Sequence, residues 1–282
     1  MNSTGAWQTQ DPGPLVLHPR AAHRAPSRHP RSAGFWKYLE RQWGEVVRHC
    51  GDRESRRRLD HLRRRLASTH RGVRESAIAE LEVAGTLVRR GSQVRWLPES
   101  RARTADLECH TGGQRFFIEV TAMIGAFRET HGIPAHRALF VHDPEGPVTE
   151  GDVLIHRILA RIIQKARQLS SYSAPVLLAL SVPPQEEAGN GAAATAVSLD
   201  LRRLAGAVTS ILLNIGHLSG VMLSLWSVAP LPSTSNVRLA NVGLVERTLR
   251  QREHPQVRTL VCNPAASAPL TRRQVELMRA ML

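Results

Sequence analysis

Four residues of this 282-residue chain have types and spacings that could do chemistry: Glu80, Asp106, Glu119 and Lys165. Two strand-like runs, Thr104 to His110 and Gln114 to Thr121, are separated by Gly112-Gly113, which signals a β-hairpin. With a two-residue turn, Thr111 faces Gln114 and Asp106 comes directly across from Glu119. Like charges on neighbouring strands sit about 5 Å apart and repel. A divalent cation between them reverses that repulsion, and Mg²⁺ is commonly held by one or two carboxylates plus waters and phosphate oxygens. Mn²⁺ suits the same oxygen donors. The chemistry on offer is therefore metal-assisted hydrolysis of a phosphate ester.

Glu80 and Lys165 extend that pair. Ser76 to Arg90 has helical periodicity, with Ala77, Leu81, Ala84 and Val88 on one face. Glu80 falls on the same apolar side, whereas Glu82 points to the opposite side among arginines. An inward carboxylate needs a buried Arg, a bound proton or a metal, and for Glu80 alone a structural salt bridge is an equally good reading. The chain has 36 arginines and two lysines, Lys37 and Lys165. Val153 to Leu169 is an amphipathic helix whose buried stripe runs through Ile155, Ile158, Leu159, Ile162, Ala166 and Leu169. Lys165 flanks that stripe beside Ile158, with Arg161 and Gln168 on its row. Its ammonium can reach a carboxylate pair on a sheet, although a border lysine also simply snorkels.

The elements that must position these side chains follow from periodicity. Gly91 closes the first helix, and Gln93 to Leu97 reads as a strand. Alternation puts Phe117, Glu119 and Thr121 on one face of the hairpin and Phe116, Ile118 and Val120 on the other. Pro175 to Val182 is an apolar run of the kind buried on both faces of a sheet. Leu204 to Val237 carries no Asp, Glu, Lys or Arg, but Asn214, His217 and six serines make it a buried helix (about Leu201 to Asn214) followed by a buried strand (about Val221 to Val228) rather than a membrane span. Ala122 to Thr149 and Pro183 to Ala196 read as long loops, the first of them long enough to cover a site.

A composition of 42% hydrophobic and 22% charged residues excludes a wholly disordered chain. Cys50, Cys109 and Cys262 are odd in number and form no C-x-x-C pair, which points to a reducing, cytoplasmic setting and away from structural zinc. The net charge is +14, most of it in the first 75 residues. Residues 1–33 are proline-rich and aperiodic, a disordered basic tail. Residues 34–75 form an Arg-rich helical arm, and 76–282 an α/β domain. The clusters at Arg56, Arg57 and Arg63, Arg64, together with Arg161 and Gln168, are the expected contacts to a polyanion, or else a solvated helix face. There is no G-x-S-x-G elbow, P-loop, dinucleotide fingerprint or H-E-x-x-H.

The order of helix with inward Glu, strand, Asp strand, Glu strand, helix and buried strand resembles the PD-(D/E)XK nuclease superfamily. Thr104-Ala105-Asp106 and Ile118-Glu119-Val120-Thr121 carry the likeness, with alanine where the motif has proline and threonine where it has lysine. More specifically, Ala79-Glu80-Leu81-Glu82, Thr104-Ala105-Asp106-Leu107, Phe117-Ile118-Glu119-Val120-Thr121, Gln164-Lys165-Ala166-Arg167, Ser219-Gly220-Val221 and Cys262-Asn263-Pro264-Ala265 with Pro269-Leu270 are similar to an uncharacterised bacterial group of restriction-endonuclease-like proteins, over roughly residues 76–270. The resemblance implies a restriction-endonuclease-like α/β core, a central mixed sheet flanked by helices, preceded by the helical Arg-rich extension. It implies an Mg²⁺-dependent endonuclease acting on nucleic acid, DNA ahead of RNA. Asp106, Glu119, the Val120 carbonyl and Glu80 would serve the metal, and Lys165 would supply the lysine missing at Thr121. A homodimer would suit cutting of both strands. The departures from the motif keep a second reading open, a catalytically silent nucleic-acid-binding or interaction protein. A third is a structural protein whose carboxylates pair with its arginines.

Overall fold

The structure is a computed structural model that describes residues 33–98, 105–124, 149–184, 196–231, 240–246 and 254–282. The basic tail, most of the Ala122 to Thr149 loop and residues 185–195 lie outside the described residues.

Three helices come first: α1 (Ala33–His49), α2 (Arg53–Leu66) and α3 (Arg71–Arg89). α1 buries Phe35, Leu39, Trp43 and Val46, spaced along one stripe. Asp52 caps α2, its side chain accepting from the Ser55 amide at 2.9 Å. α3 lies between these two helices and the sheet, so every residue from Ala77 to Val88 is buried. The face that a helical wheel assigns to solvent is therefore covered. Glu82, expected among surface arginines, is 4% exposed and ion-paired with Arg258. α1 and α2 share one continuous core with α3 and with the sheet face beneath it.

The central sheet is mixed and largely antiparallel, in the order β1 (Gln93–Trp96), β2 (Leu107–Thr111), β3 (Gln114–Ala122), β4 (Val176–Val182), β6 (Gly220–Leu225), β9 (Val257–Cys262) and β8 (Val242–Glu246). The β2–β3 turn has both glycines at positive φ, 57° and 78°, the conformation that a two-residue hairpin demands and glycine supplies without strain. Thr111 pairs with Gln114 and the register runs unbroken to Leu107 opposite Ile118. β3, β4 and β6 pair in parallel, and β4 is buried at all seven positions. Their crossovers carry α4 (Glu150–Ala166) and α5 (Leu201–Leu213), which cover the face opposite α3. β5 (Val197–Leu199) and β7 (Val228–Pro230) form a small parallel ladder on that side. α6 (Arg272–Ala280) sends Leu277 and Met278 into the α3-side core. No described helix is long and apolar enough to cross a membrane, and the uncharged 204–237 stretch supplies α5, β6 and β7.

Candidate functional site

The sheet brings the sequence-predicted carboxylates together at the end of β2. Asp106 lies one residue beyond the ladder rather than in a regular pair with Glu119. Its amide donates to the Ile118 carbonyl at 3.1 Å, and its carbonyl accepts from Leu97 at 2.9 Å. The Asp106 Oδ2 accepts from the Val120 amide at 2.8 Å, so the side chain itself takes up the bond that a longer β2 would have made. The carboxylate consequently lies near the plane of the sheet, between its two faces. The Phe117 amide donates to the Pro175 carbonyl just before β4 and the Met123 amide to Ser181 of β4, so alternation directs the Val120 peptide groups toward the β2 side, where Asp106 sits.

Glu119 projects to the α4 face. Lys165, in the last turn of α4, donates from Nζ to Glu119 Oε1 at 2.5 Å, with the two side chains 17% and 9% exposed. A cation there also suits the carbonyl end of the helix. One turn earlier, Arg161 donates to Thr121 Oγ1 at 2.9 Å and to Gln164 Oε1 at 2.7 Å. The position that carries threonine in place of the motif lysine is thus bonded to a helix cation. The other end of α4 is fixed by a capping box between Thr149 and Asp152, and Asp152 also bridges to Arg203 of α5 at 2.5 Å. α4 ends at Ala166, so Gln168 sits in the following turn, its amide bonded to the Lys165 carbonyl, rather than on the helical row with Arg161.

Glu80 approaches from the α3 face, and protein donors hold both of its oxygens. Oε1 accepts from Trp96 Nε1 at 2.7 Å, and Oε2 from Arg65 Nη1 at 2.7 Å. Arg58 lies 3.7 Å from Glu80 Oε1 and 3.8 Å from Asp106 Oδ1, bridging the two carboxylates. In the sequence Arg58 and Arg65 are legible as members of arginine runs but not as site residues. The available signal is their spacing, seven apart on the stripe of Leu59, Leu62 and Leu66, which turns them inward while Arg56, Arg57, Arg63 and Arg64 stay exposed. Tyr172, after α4, is a further site residue that sequence reasoning does not reach. Its hydroxyl accepts from the Ala105 amide at 2.6 Å and its ring packs on Phe117 at 4.4 Å.

The electrostatics single out Asp106. Burial, then the charges of Glu80 and Glu119, hold its carboxyl well above the usual carboxylate range, against the opposing pull of the Val120 amide and Arg58. Tyr172 is raised too, by burial and by the same Glu119 and Asp106 charges, although the Ala105 amide works against them. Among the described residues, no three His, Cys, Asp or Glu side chains are gathered as a metal-binding group. Asp106 and Glu119, with the Val120 carbonyl between their strands, are the oxygen donors that fit a hard divalent cation. The burial of Asp106 beside the Glu80 and Glu119 charges, only partly offset by Arg58 and the Val120 amide, is the observation that would favour such a cation. Glu80, its oxygens occupied by Arg65 and Trp96, does not fit as a direct ligand. Burial pushes the Cys50 thiol up to about 12 and raises Cys109 as well, so neither is poised as a nucleophile. No family model, curated protein or solved structure matches this chain.

Proposed function

We propose that this protein is a divalent-metal-dependent phosphodiesterase of restriction-endonuclease-like architecture, acting on nucleic acid, with DNA ahead of RNA as substrate. The observation that carries this reading is the bond from the Val120 amide to Asp106, just before β2, which sets that carboxylate beside the strand position of Glu119 and its lysine partner Lys165 of α4. Asp106, Glu119 and the Val120 carbonyl would hold Mg²⁺ or Mn²⁺. When bound, the metal supplies a water of lowered pKa and a Lewis acid for the scissile phosphate.

The rest of the work falls to the chain. The Val120 amide fixes the Asp106 carboxylate, and Arg58 offsets part of the charge gathered there. Lys165 orients Glu119 and can hold or give up a proton at Nζ, which an arginine cannot do. Arg161, anchored on Thr121, presents positive charge on the same face. The exposed Arg56, Arg57, Arg63 and Arg64 of α2 give a backbone-binding surface that needs no base readout. A homodimer and a cytoplasmic setting suit this activity.

One observation favours a second reading. Glu80 is locked by Arg65 and Trp96, and Arg58 stands close to Asp106, an arrangement that also serves a catalytically silent nucleic-acid-binding protein. Incubation of supercoiled plasmid and single-stranded DNA with Mg²⁺ or Mn²⁺ separates the two. Metal-dependent nicking that disappears in Asp106→Ala supports the enzyme. Salt-sensitive binding without cleavage of either DNA, or of RNA, supports the silent binder.

A further inference from the structure

A second charged site lies away from the carboxylates. The C-terminal end of α3, the inner face of α1 and the turn after α6 border an open cavity of about 310 Å³ whose lining includes Tyr38, Thr86, Arg89, Arg90, Arg258 and Leu282. That volume lies at the lower edge of the roughly 300–1,000 Å³ typical of small-ligand sites. Arg89 is nine positions beyond Glu80, about 13 Å along the helix axis, so this cavity is separate from the proposed phosphodiesterase centre and does not rest on it.

Its charge is unbalanced. Arg258 ion-pairs with Glu82 and donates from Nη1 to the Met281 carbonyl at 2.6 Å. Among the described residues, no salt bridge joins Arg89 or Arg90 to an acidic group. Arg89 instead lies over the Tyr38 ring, 5.7 Å from its centre, with a long 3.4 Å hydrogen bond to Thr86 Oγ1. Tyr38 in turn packs edge-on against His254 at 5.0 Å. Two exposed positive charges with no acidic side chain paired to them among the described residues therefore border this concavity, which Leu282 also lines. The end of a helix normally repels anions, but here the terminal carbonyls are capped. The Arg90 amide donates to Thr86 and Leu87, Gly91 to Val88 and Ser92 to Leu87. Burial also raises the Tyr38 hydroxyl, which keeps its proton and stays a donor.

We propose that this cavity binds a phosphomonoester, its dianionic phosphate met by the Arg89 and Arg90 guanidiniums beside the Thr86 hydroxyl, its organic part filling the remaining volume. Two guanidiniums without an acidic side-chain partner suit a dianion, and a guanidinium fork matches the oxygens of a phosphate. Calorimetric titration of the full chain with ribose 5-phosphate, inorganic phosphate and sulfate tests the assignment. Ribose 5-phosphate should bind saturably and at least tenfold more tightly than inorganic phosphate or sulfate. Arg89→Gln/Arg90→Gln should lose at least tenfold of that affinity, while Arg202→Gln at the exposed start of α5 should keep it. Should the double variant misfold, Arg90→Glu alone, at an exposed position, must produce the loss. Absence of saturable binding, equal affinity for inorganic phosphate and ribose 5-phosphate, or an equal loss in Arg202→Gln would overturn the proposal.

Discussion

Replacing Glu80 by Gln distinguishes a carboxylate that holds the fold from one that waits for a metal. Glutamine keeps the size of the side chain and a carbonyl oxygen for Trp96 Nε1, but it removes the anion from Arg65 at 2.7 Å and from Arg58 at 3.7 Å. Breaking a fully buried pair costs about 3–5 kcal/mol, and a hydrogen bond to a charged group contributes about 1.5–3 kcal/mol. Arg65 is 21% exposed and regains some water, and loss of the Glu80 charge relieves Asp106. The expected net loss is therefore about 2–3 kcal/mol, below most of the range for a fully buried pair. For a domain of this size each kcal/mol moves Tm by roughly 2–4 °C, which gives a fall of about 4–12 °C. Thermal unfolding in the presence of EDTA reads the value without any bound metal. An unchanged or higher Tm in EDTA would refute the reasoning, because a repelled metal-ligand carboxylate gains stability when neutralised.

Three further outcomes follow from the same geometry. Asp106 has its folded-state pKa raised, so the folded protein binds the extra proton and stability falls as pH climbs from the unfolded value near 4 through the raised one. Asp106→Asn should then be more stable than the parent at pH 7 in EDTA, with the gain closing below about pH 4, and a parent more stable at pH 7 would contradict this. Lys165→Arg keeps a cation for Glu119 but not an ionisable one, so nicking should drop by about 100-fold with little change in Tm, and full activity would remove proton transfer from Lys165. Changing Arg56, Arg57, Arg63 and Arg64 together to Gln should flatten the plot of log affinity for DNA against log salt by up to about 0.9 for each phosphate no longer neutralised. An unaltered slope would move the nucleic acid off α2.

The hairpin, the buried β4 and the meeting of Lys165 with Glu119 are legible in the sequence because each rests on local signals. Two glycines fix a turn, an apolar run marks a doubly covered strand, and helical periodicity orients a lysine. What the sequence conceals lies in tertiary context. Glu82 reads as a surface residue until α3 is found covered on both sides, and its partner Arg258 stands 176 positions away. Arg58 and Arg65 belong to runs that look uniformly solvated, although position on the leucine stripe separates them from their neighbours. Asp106 departs from its expected pairing because its own carboxylate, rather than the β2 backbone, bonds the Val120 amide.

The Glu82–Arg258 pair also bears on the order of assembly. The hydrogen bonds of Asp106 and Glu80 to Val120, Arg65 and Trp96 close loops of 14 to 16 residues, Arg58–Asp106 and Lys165–Glu119 close 48 and 46, and Arg258–Glu82 closes 176. At about 0.6 kcal/mol for each doubling of loop length, the last closure carries roughly 2 kcal/mol more chain entropy than the first. On that ordering the hydrogen bonds of Glu80 and Asp106 close first, the Arg58 and Lys165 ion pairs of the cluster next, and β9 comes last to neutralise the charge on the inner helix. Burying Glu82 before β9 brings Arg258 would leave its charge unpaired, so desolvation of this face of α3 is expected to wait for that strand.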